Sequence, residues 1–457
     1  MGLDQIFKAY DVRGTVPDQL DAALAERIGQ AFAVFARESA DGEPVTRVLV
    51  ARDMRPSGVE LAAAFAEGVQ RQGLDVVDLG LTSTDLLYFA SGKLGAPGVV
   101  FTASHNPAQY NGIKMCLAGA KPIGQDTGLG TIRDLVEKGL PDPTGEPGRV
   151  EVVDMLDDFA RHVRSFVDPA NLHRLRVVAD TANGMGGLVV PKVFEELPFD
   201  LEILYPELDG TFPNHPADPI QPENLRDLQA RVKAVGADVG LAFDGDADRV
   251  FLVDDNAEPL SGSTTTAIVA AGILEREPGA TILHNLICSK AVPEVVKERG
   301  GTPIRTRVGH SFIKQVMAET GAAFGGEHSA HYYFRDNYRA DSGCIAALVV
   351  LEQLCKAGVP LSELRKPFDR YAASGEINFR VDDPPAVIDR VAEHFASVEG
   401  ATTDRLDGLT VDLGDWWCNL RPSNTEPLLR LNLEAQTREA CDVHVAELRA
   451  LVEQENP

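Results

Sequence analysis

The chain has 457 residues, 44% apolar and 25% charged, a globular composition that excludes a disordered protein. Its length exceeds what one hydrophobic core supports, so several domains are expected. The 69 acidic against 43 basic residues give a formal net charge of −26. That excess repels nucleic acid and anionic membranes, so neither is expected as a partner, and an anionic ligand must be gathered by a local cluster of cations.

No apolar run is long enough to span a bilayer, and the N-terminus lacks the basic-then-apolar build of a signal peptide. Ile6 stands where a myristoylation motif needs Ser or Thr. Six scattered cysteines (Cys116, Cys288, Cys344, Cys355, Cys418, Cys441) have no paired spacing. They read as reduced thiols of a cytoplasmic protein, and a zinc site is not indicated.

The first segment opens with Phe7-Lys8-Ala9-Tyr10-Asp11-Val12-Arg13-Gly14, followed by a helical pattern from Asp18 to Glu38. The patterning then predicts a strand at Val48–Val50, a helix over Ser57–Gln72, a strand at Val76-Val77 and a helix near Thr84–Lys93. The buried-looking strand Gly98–Phe101 empties into the polar turn Thr102-Ala103-Ser104-His105-Asn106-Pro107. Strands alternating with helices indicate βαβ units and a largely parallel sheet. The Pro- and Gly-rich stretch 141–148 reads as a linker.

A second segment repeats the alternation, with a helix over Asp154–Phe166, a strand at Arg176–Asp180, the turn Asn183-Gly184 and a strand at Val239–Phe243. A third starts with the helix after Ser261. It continues through strands at Thr281–Leu283, Pro303–Arg305 and Ala322–Phe324 to a helix over Cys344–Lys356. After Pro367 the rhythm changes. Short runs at Ile377–Val381, Leu409–Leu413, Trp416–Leu420 and Leu428–Leu433 lie between helices at Ala386–Ala396 and Cys441–Glu453, which suggests an antiparallel α+β unit. Three similar α/β units and a smaller α+β unit are therefore expected, at 1–148, 149–255, 256–368 and 369–457. In open α/β sheets ligands gather at the carboxyl ends of strands, and each segment presents its most polar loop there.

Asp244-Gly245-Asp246-Ala247-Asp248-Arg249 is the strongest local signal. Three carboxylates at alternate positions, separated by the two smallest residues, can converge on one side of a tight turn. Hard oxygen ligands of this kind suit Mg²⁺. A solvated acidic turn is the plain alternative, opposed by the apolar flanks Leu241–Phe243 and Val250–Val253. A calcium loop fails at its sixth position, which requires glycine and holds Arg249.

The turn at Ser104 reads alone as structural, since Ser and Asn before Pro are ordinary turn residues. A hydrolase triad lacks its Gly-x-Ser-x-Gly elbow. Arg421-Pro422-Ser423-Asn424-Thr425 sets a guanidinium, two hydroxyls and an amide in one turn, which suits a phosphate, with a hairpin loop as the alternative. Gly325-Gly326-Glu327-His328-Ser329-Ala330-His331 offers donors and acceptors for sugar hydroxyls. Arg307-Val308-Gly309-His310-Ser311 precedes a helix whose N-terminus could meet an anion.

Together these loops, in order along nearly the whole chain, resemble the α-D-phosphohexomutase superfamily, and within it the bacterial phosphomannomutase/phosphoglucomutase group. Tyr10–Gly14 resembles its N-terminal sugar-phosphate motif, Thr102–Pro107 its phosphoserine loop, and Asn111-Gly112-Ile113-Lys114 the stretch bearing its acid/base lysine. Asp244–Arg249 resembles the metal loop, Gly326–His331 the sugar-selecting loop and Arg421–Thr425 the phosphate loop.

The resemblance implies three mixed-sheet α/β domains of one topology and a fourth domain around a central cleft. It also implies exchange of phosphate between the 1- and 6-positions of a hexose through a bisphosphate. Ser104 would carry the phosphoryl group, and Ser104, Asp244, Asp246 and Asp248 would hold Mg²⁺. Lys114, its pKa lowered by neighbouring cations, would move the proton, with His105 and His331 as further candidates. Tyr10, Arg13, Arg249, His310, Glu327, Ser329, Arg421, Ser423, Asn424 and Thr425 would bind the hexose phosphate, and a hexose 1,6-bisphosphate would activate.

Two departures from the family pattern stand out. The sugar loop reads Glu-His-Ser-Ala-His where Met and Gly are commoner at the second and fourth places. Ile287 falls where some members carry a substrate-binding lysine, with Lys290 as a possible substitute. A Mg²⁺-dependent sugar-phosphate phosphatase using an aspartate nucleophile, and a sugar-phosphate sensor without turnover, are the competing readings.

Overall fold

The computed structural model describes residues 2–40, 42, 44–141, 145–422 and 428–454. The first sheet runs in the order β1 (Val12–Thr15), β5 (Tyr110–Leu117), β4 (Gly98–Phe101), β2 (Arg47–Arg52), β3 (Asp75–Leu81), β7 (Val150–Val152), with the two-residue β6 (Lys121–Pro122) also paired to β5. β2, β3, β4 and β7 are mutually parallel, whereas β5 runs antiparallel to both β1 and β4. The sheet is therefore mixed rather than largely parallel, because only the polar turn 102–109, too short for a crossover helix, separates β4 from β5.

β7 lies beyond the expected boundary at residue 148. Its main chain pairs with β3, Val76 facing Val150, so the strand that follows the stretch read as a linker still belongs to the first sheet.

The second and third sheets repeat this plan with four strands each. Their orders are β11 (Val250–Val253), β10 (Val239–Phe243), β8 (Arg176–Asp180), β9 (Asp200–Leu204), and β13 (Thr302–Thr306), β12 (Thr281–Asn285), β14 (Phe324–Gly326), β15 (Tyr332–Phe334). In each, an edge strand (β11 or β15) returns antiparallel through a tight polar loop, and that loop carries the candidate chemistry. The fourth sheet is antiparallel throughout its ladders, β16 (Ala372–Phe379), β20 (Leu429–Ala435), β19 (Trp416–Pro422), β18 (Leu409–Asp412), β17 (Thr402–Asp404).

The cores follow the same division. One apolar cluster runs without a break through the first three units, from Leu49 and Val100 through Val178 and Leu241 to Ile345 and Leu348. A second covers the other face of the first sheet with Phe32, Phe65 and Phe101. The fourth unit has a core of its own, built on Val391, Phe395, Leu420 and Leu431. Three mixed-sheet α/β domains and a C-terminal α+β domain thus surround a shared cleft, into which the carboxyl ends of the strands empty.

Candidate active site

β4 ends at Phe101, and the chain turns sharply at Ser104, whose φ of +50° lies in the left-handed region. The Ser104 backbone N–H donates to Thr102 Oγ1 (2.9 Å). Its Oγ donates to Asp244 Oδ2 (2.8 Å), accepts from Arg249 Nη2 (3.1 Å), and lies 3.2 Å from His105 Nδ1. The serine and acidic loops, 140 residues apart, touch only because position 245 is glycine. A Cβ there would lie 2.4 Å from the Ser104 carbonyl oxygen.

The acidic loop joins the fully buried strands β10 and β11, and Asp244, Asp246 and Asp248 are buried with them. Asp246 Oδ2 accepts from Thr84 Oγ1 (2.6 Å) and from Lys114 Nζ (2.7 Å), and Asp248 Oδ2 accepts from the same Nζ (2.6 Å). Arg249 pairs with Asp244 at 2.7 Å. Three buried carboxylates thus face two cations, which leaves negative charge to be compensated. Burial, with added repulsion from Asp246 and Asp248, pushes the Asp244 carboxyl up to about 7 against the pull of Arg249.

Among the described residues, Asp246 Oδ1 and Asp248 Oδ1 are buried without a hydrogen-bond partner. Each of the three aspartates offers a ligand oxygen within 4.8 Å of the others. Orphaned carboxylate oxygens converging in a dry loop fit a hard divalent cation.

Lys114 departs from expectation. Burial disfavours its charge, but Asp246 and Asp248 overcome that and hold the ammonium well above the ordinary lysine range. A lowered pKa was expected from neighbouring cations, yet its nearest partners are anions. His105 shows the opposite behaviour: burial, then Arg249 and Arg13, drive its pKa well below normal, so it sits neutral with Nδ1 accepting from Arg249.

The remaining candidates line neighbouring loops. Arg13, on β1, donates to Asn106 Oδ1 (2.6 Å) and pairs with Asp11, so it braces the serine turn. Tyr10 reaches across to the third domain, donating to the Val308 carbonyl (3.3 Å) with its ring edge-on to Phe312. Glu327 is buried. Its Oε1 accepts from the backbone N–H of Gly309 (3.0 Å) and from Asn285 Nδ2 (3.3 Å), and Oε2 accepts from Tyr333 (2.8 Å).

His331 pairs through Nδ1 with Asp341 (2.7 Å), which is also ion-paired to the buried Lys314 (3.1 Å). Burial opposes the charge on His331, but Asp248 and Asp341 raise its pKa. Ser329 is half-buried in the turn between β14 and β15. His310 opens the helix His310–Thr320; its side chain lies outside the described residues, as do Ser423, Asn424 and Thr425. Arg421 is buried at the end of β19. Its Nη2 donates to Glu376 (3.4 Å), and its Nε has no hydrogen-bond partner among the described residues. The lysine substitute does not face a ligand: Lys290 Nζ donates to Asp412 Oδ1 (2.6 Å) and to the Gly414 carbonyl (3.0 Å).

Family models match in four consecutive pieces described as phosphoglucomutase/phosphomannomutase alpha/beta/alpha domains I, II and III and C-terminal domain, over residues 4–141, 157–258, 261–371 and 376–451. The chain belongs to the phosphoglucomutase/phosphomannomutase family. It is an enzyme of that family, a phosphohexose mutase. It is 40% identical over 439 residues to the phosphomannomutase of Salmonella montevideo, covering 94% of each chain. It is 41% identical over 435 residues to the phosphohexose mutases of Xanthomonas campestris, covering 94% of this chain and 95% of theirs. Among solved structures, the phosphoglucomutase/phosphomannomutase family protein of Burkholderia thailandensis superposes with a TM-score of 0.89 at 33% identity, over 99% of this chain and 98% of that one.

Sequence reasoning missed several residues that shape this family site. Thr84 holds Asp246, Asp341 and Lys314 hold His331, and Asp53 and Arg55 lie beneath the serine turn. The signal for Asp53, Arg55 and Thr84 was present in Arg52-Asp53-Met54-Arg55-Pro56 and Ser83-Thr84-Asp85, runs placed directly after β2 and β3.

Proposed function

We propose that this chain moves a phosphoryl group reversibly between the 1- and 6-positions of a hexose, mannose and/or glucose, through a phosphoserine at Ser104 and a hexose 1,6-bisphosphate. The observation that carries this reading is the setting of Ser104 Oγ, within hydrogen-bond reach of Arg249 and Asp244 and beside the orphaned oxygens of the acidic loop. A hydroxyl placed there can bear an anionic group only if cations surround it.

Asp244, Asp246 and Asp248, together with an oxygen on Ser104, would hold Mg²⁺, which when bound draws charge from a transferring phosphoryl group. Arg249, which donates to Ser104 Oγ, would neutralise the group and keeps Asp244 oriented. In each half-reaction a sugar oxygen gains the phosphorus that Ser104 Oγ releases, or the reverse. The proton of the attacking hydroxyl ends on the oxygen that leaves. Lys114, held as an ammonium, is suited to give a proton, and taking one requires its carboxylate partners to be drawn away. His331, its Nδ1 committed to Asp341, offers its other ring nitrogen as acceptor, and the neutral His105 could accept a proton only at Nδ1, once Arg249 lets go of it.

Arg421, Ser423, Asn424 and Thr425 would bind the distal phosphate, with Tyr10, Arg13 and His310 at the mouth of the cleft. Glu327 and Ser329 would take ring hydroxyls, Glu327 with the lone pairs its internal partners leave.

The test is isomer exchange with mannose 1-phosphate and glucose 1-phosphate, with and without glucose 1,6-bisphosphate. Stimulated exchange without release of inorganic phosphate is expected. Phosphate release alone would establish a phosphatase instead, and binding without turnover a sensor.

A further inference from the structure

We infer that Arg55 is a positioning residue for phosphoryl transfer: it fixes the backbone of the serine turn so that Ser104 Oγ points between Asp244 and Arg249. This rests on the phosphoserine reading.

Arg55 is fully buried, and all five of its guanidinium N–H groups have an acceptor. Nη2 donates to the carbonyls of Ser104 (2.9 Å) and Asn106 (2.7 Å), and Nη1 to those of Pro107 (2.9 Å) and Tyr110 (2.9 Å). Nε donates to Asp53 Oδ2 (3.2 Å), and Asp53 Oδ1 accepts the Arg55 backbone N–H (2.9 Å). One side chain therefore binds four carbonyls between Ser104 and the start of β5 at Tyr110, of which the Pro107 carbonyl also accepts the Tyr110 N–H (3.0 Å).

The placement follows from topology. β2 lies parallel to β4, Arg52 facing Phe101, so their exit loops leave the sheet side by side, and Asp53 N–H donates to the Phe101 carbonyl (2.9 Å). The second domain closes over the arginine. The Phe212 ring lies 5.1 Å from the guanidinium carbon, and a Cβ at Gly210 would fall 2.6 Å from Arg55 Cα.

Ser104 holds a left-handed backbone without being glycine, a conformation that persists only where the surroundings over-determine it. Thr102 Oγ1 binds its N–H and Arg55 its carbonyl, so both sides of the residue are held. Lysine cannot replace this arrangement, because an ammonium has three donors in a cone rather than five in a planar fork. Loosening the cradle leaves the strand ladders intact but lets Oγ drift, and a displacement of about 1 Å at a reacting atom costs on the order of 100-fold in rate. Among the described residues, none of those proposed to bind the hexose phosphate is hydrogen-bonded to Arg55, so substrate affinity is expected to hold.

The experiment uses full-length wild type, Arg55→Lys and Thr102→Val. Wild type is incubated with glucose 1,6-bisphosphate and examined by intact mass and peptide mapping, then kcat and KM for glucose 1-phosphate are measured on the folded fraction of each protein. Arg55→Lys is expected to lose about 100-fold in kcat and Thr102→Val about tenfold, both with KM within about twofold of wild type. If wild type takes a phosphate on Ser104 and both folded variants keep wild-type kcat, Arg55 serves folding alone and the inference is overturned. If wild type takes no phosphate on Ser104, the phosphoserine reading itself fails and the inference goes with it. Should Arg55→Lys not fold, Thr102→Val, which opens the same cradle from its other side, decides the question by itself.

Discussion

The two ends of the cleft are built differently. Around Ser104 the polar groups are buried, mutually bonded and set in one apolar core that runs through three domains. The fourth domain has its own core and meets the third mostly through polar contacts at partly exposed side chains, Lys290 with Asp412, Arg305 with Asp404, Tyr371 with Glu294, and Asp407 with the Val308 N–H, beside one buried carboxylate, Glu434, that accepts the Lys290 N–H (2.9 Å). Dry, over-determined geometry suits a place where bonds are made. A domain docked through solvated ion pairs, each worth about 1 kcal/mol or less, can shift at little cost. A phosphate loop that must accept either end of a bisphosphate is better carried on the second kind of support.

The largest test of this contrast removes the ion that the acidic loop is proposed to hold. Dialysis against a chelator should lower mutase activity by about 100-fold or more, restored by Mg²⁺, because several kcal/mol of charge compensation is lost. Full activity without divalent ions would mean Lys114 and Arg249 suffice.

Next, Leu348→Ala creates a cavity in the shared core and should cost about 3 kcal/mol. Calorimetry should show the transition of the first three domains moving down while that of the fourth stays in place. A single transition moving as a whole would erase the distinction between the two regions.

The third test uses pH. Burial pushes His284, on β12, down to about 4. Its ordinary pKa is about 6.5, so the folded state resists its protonation. The stability it contributes is complete above pH 6.5 and is lost as pH falls from 6.5 toward 4, by at most about 3 kcal/mol. Denaturant titrations at pH 7 and pH 5 should show a smaller drop for His284→Asn than for wild type. An equal drop would assign the acid sensitivity to other groups.

The smallest effect is expected at the boundary itself. Lys290→Met should change stability by less than about 1 kcal/mol. A loss above about 2 kcal/mol in the same titration would make the junction a core-like contact.

Much of this architecture was legible because strands that are buried on both faces are written as unbroken apolar runs, as at Gly98–Phe101 and Val239–Phe243, each ending in a polar loop. The chemistry-bearing turns were found for that reason. The antiparallel returns β5, β11 and β15 were harder to read, since a short polar turn gives no sign of which strand its successor will join. The first helix starts at Ala22 rather than Asp18, because Asp21 caps it by accepting from the Leu24 N–H (2.8 Å). Long-range partners were not legible at all. The pairing of Lys114 with Asp246 spans 132 residues, and that of Arg249 with Ser104 spans 145. The sign of the Lys114 shift depends on those partners. Arg55, whose guanidinium reaches carbonyls 49 to 55 residues further along the chain, was not legible for the same reason.

The central claim is that Ser104 carries the phosphoryl group between turnovers. Intact-mass analysis of the purified enzyme after incubation with glucose 1,6-bisphosphate, followed by peptide mapping, tests it directly. The account predicts one added phosphoryl group, located on Ser104, absent from Ser104→Ala and lost on incubation with excess hexose 6-phosphate. A Ser104→Ala enzyme that retains full mutase activity, or a phosphate mapped to an aspartate of the acidic loop, would contradict it.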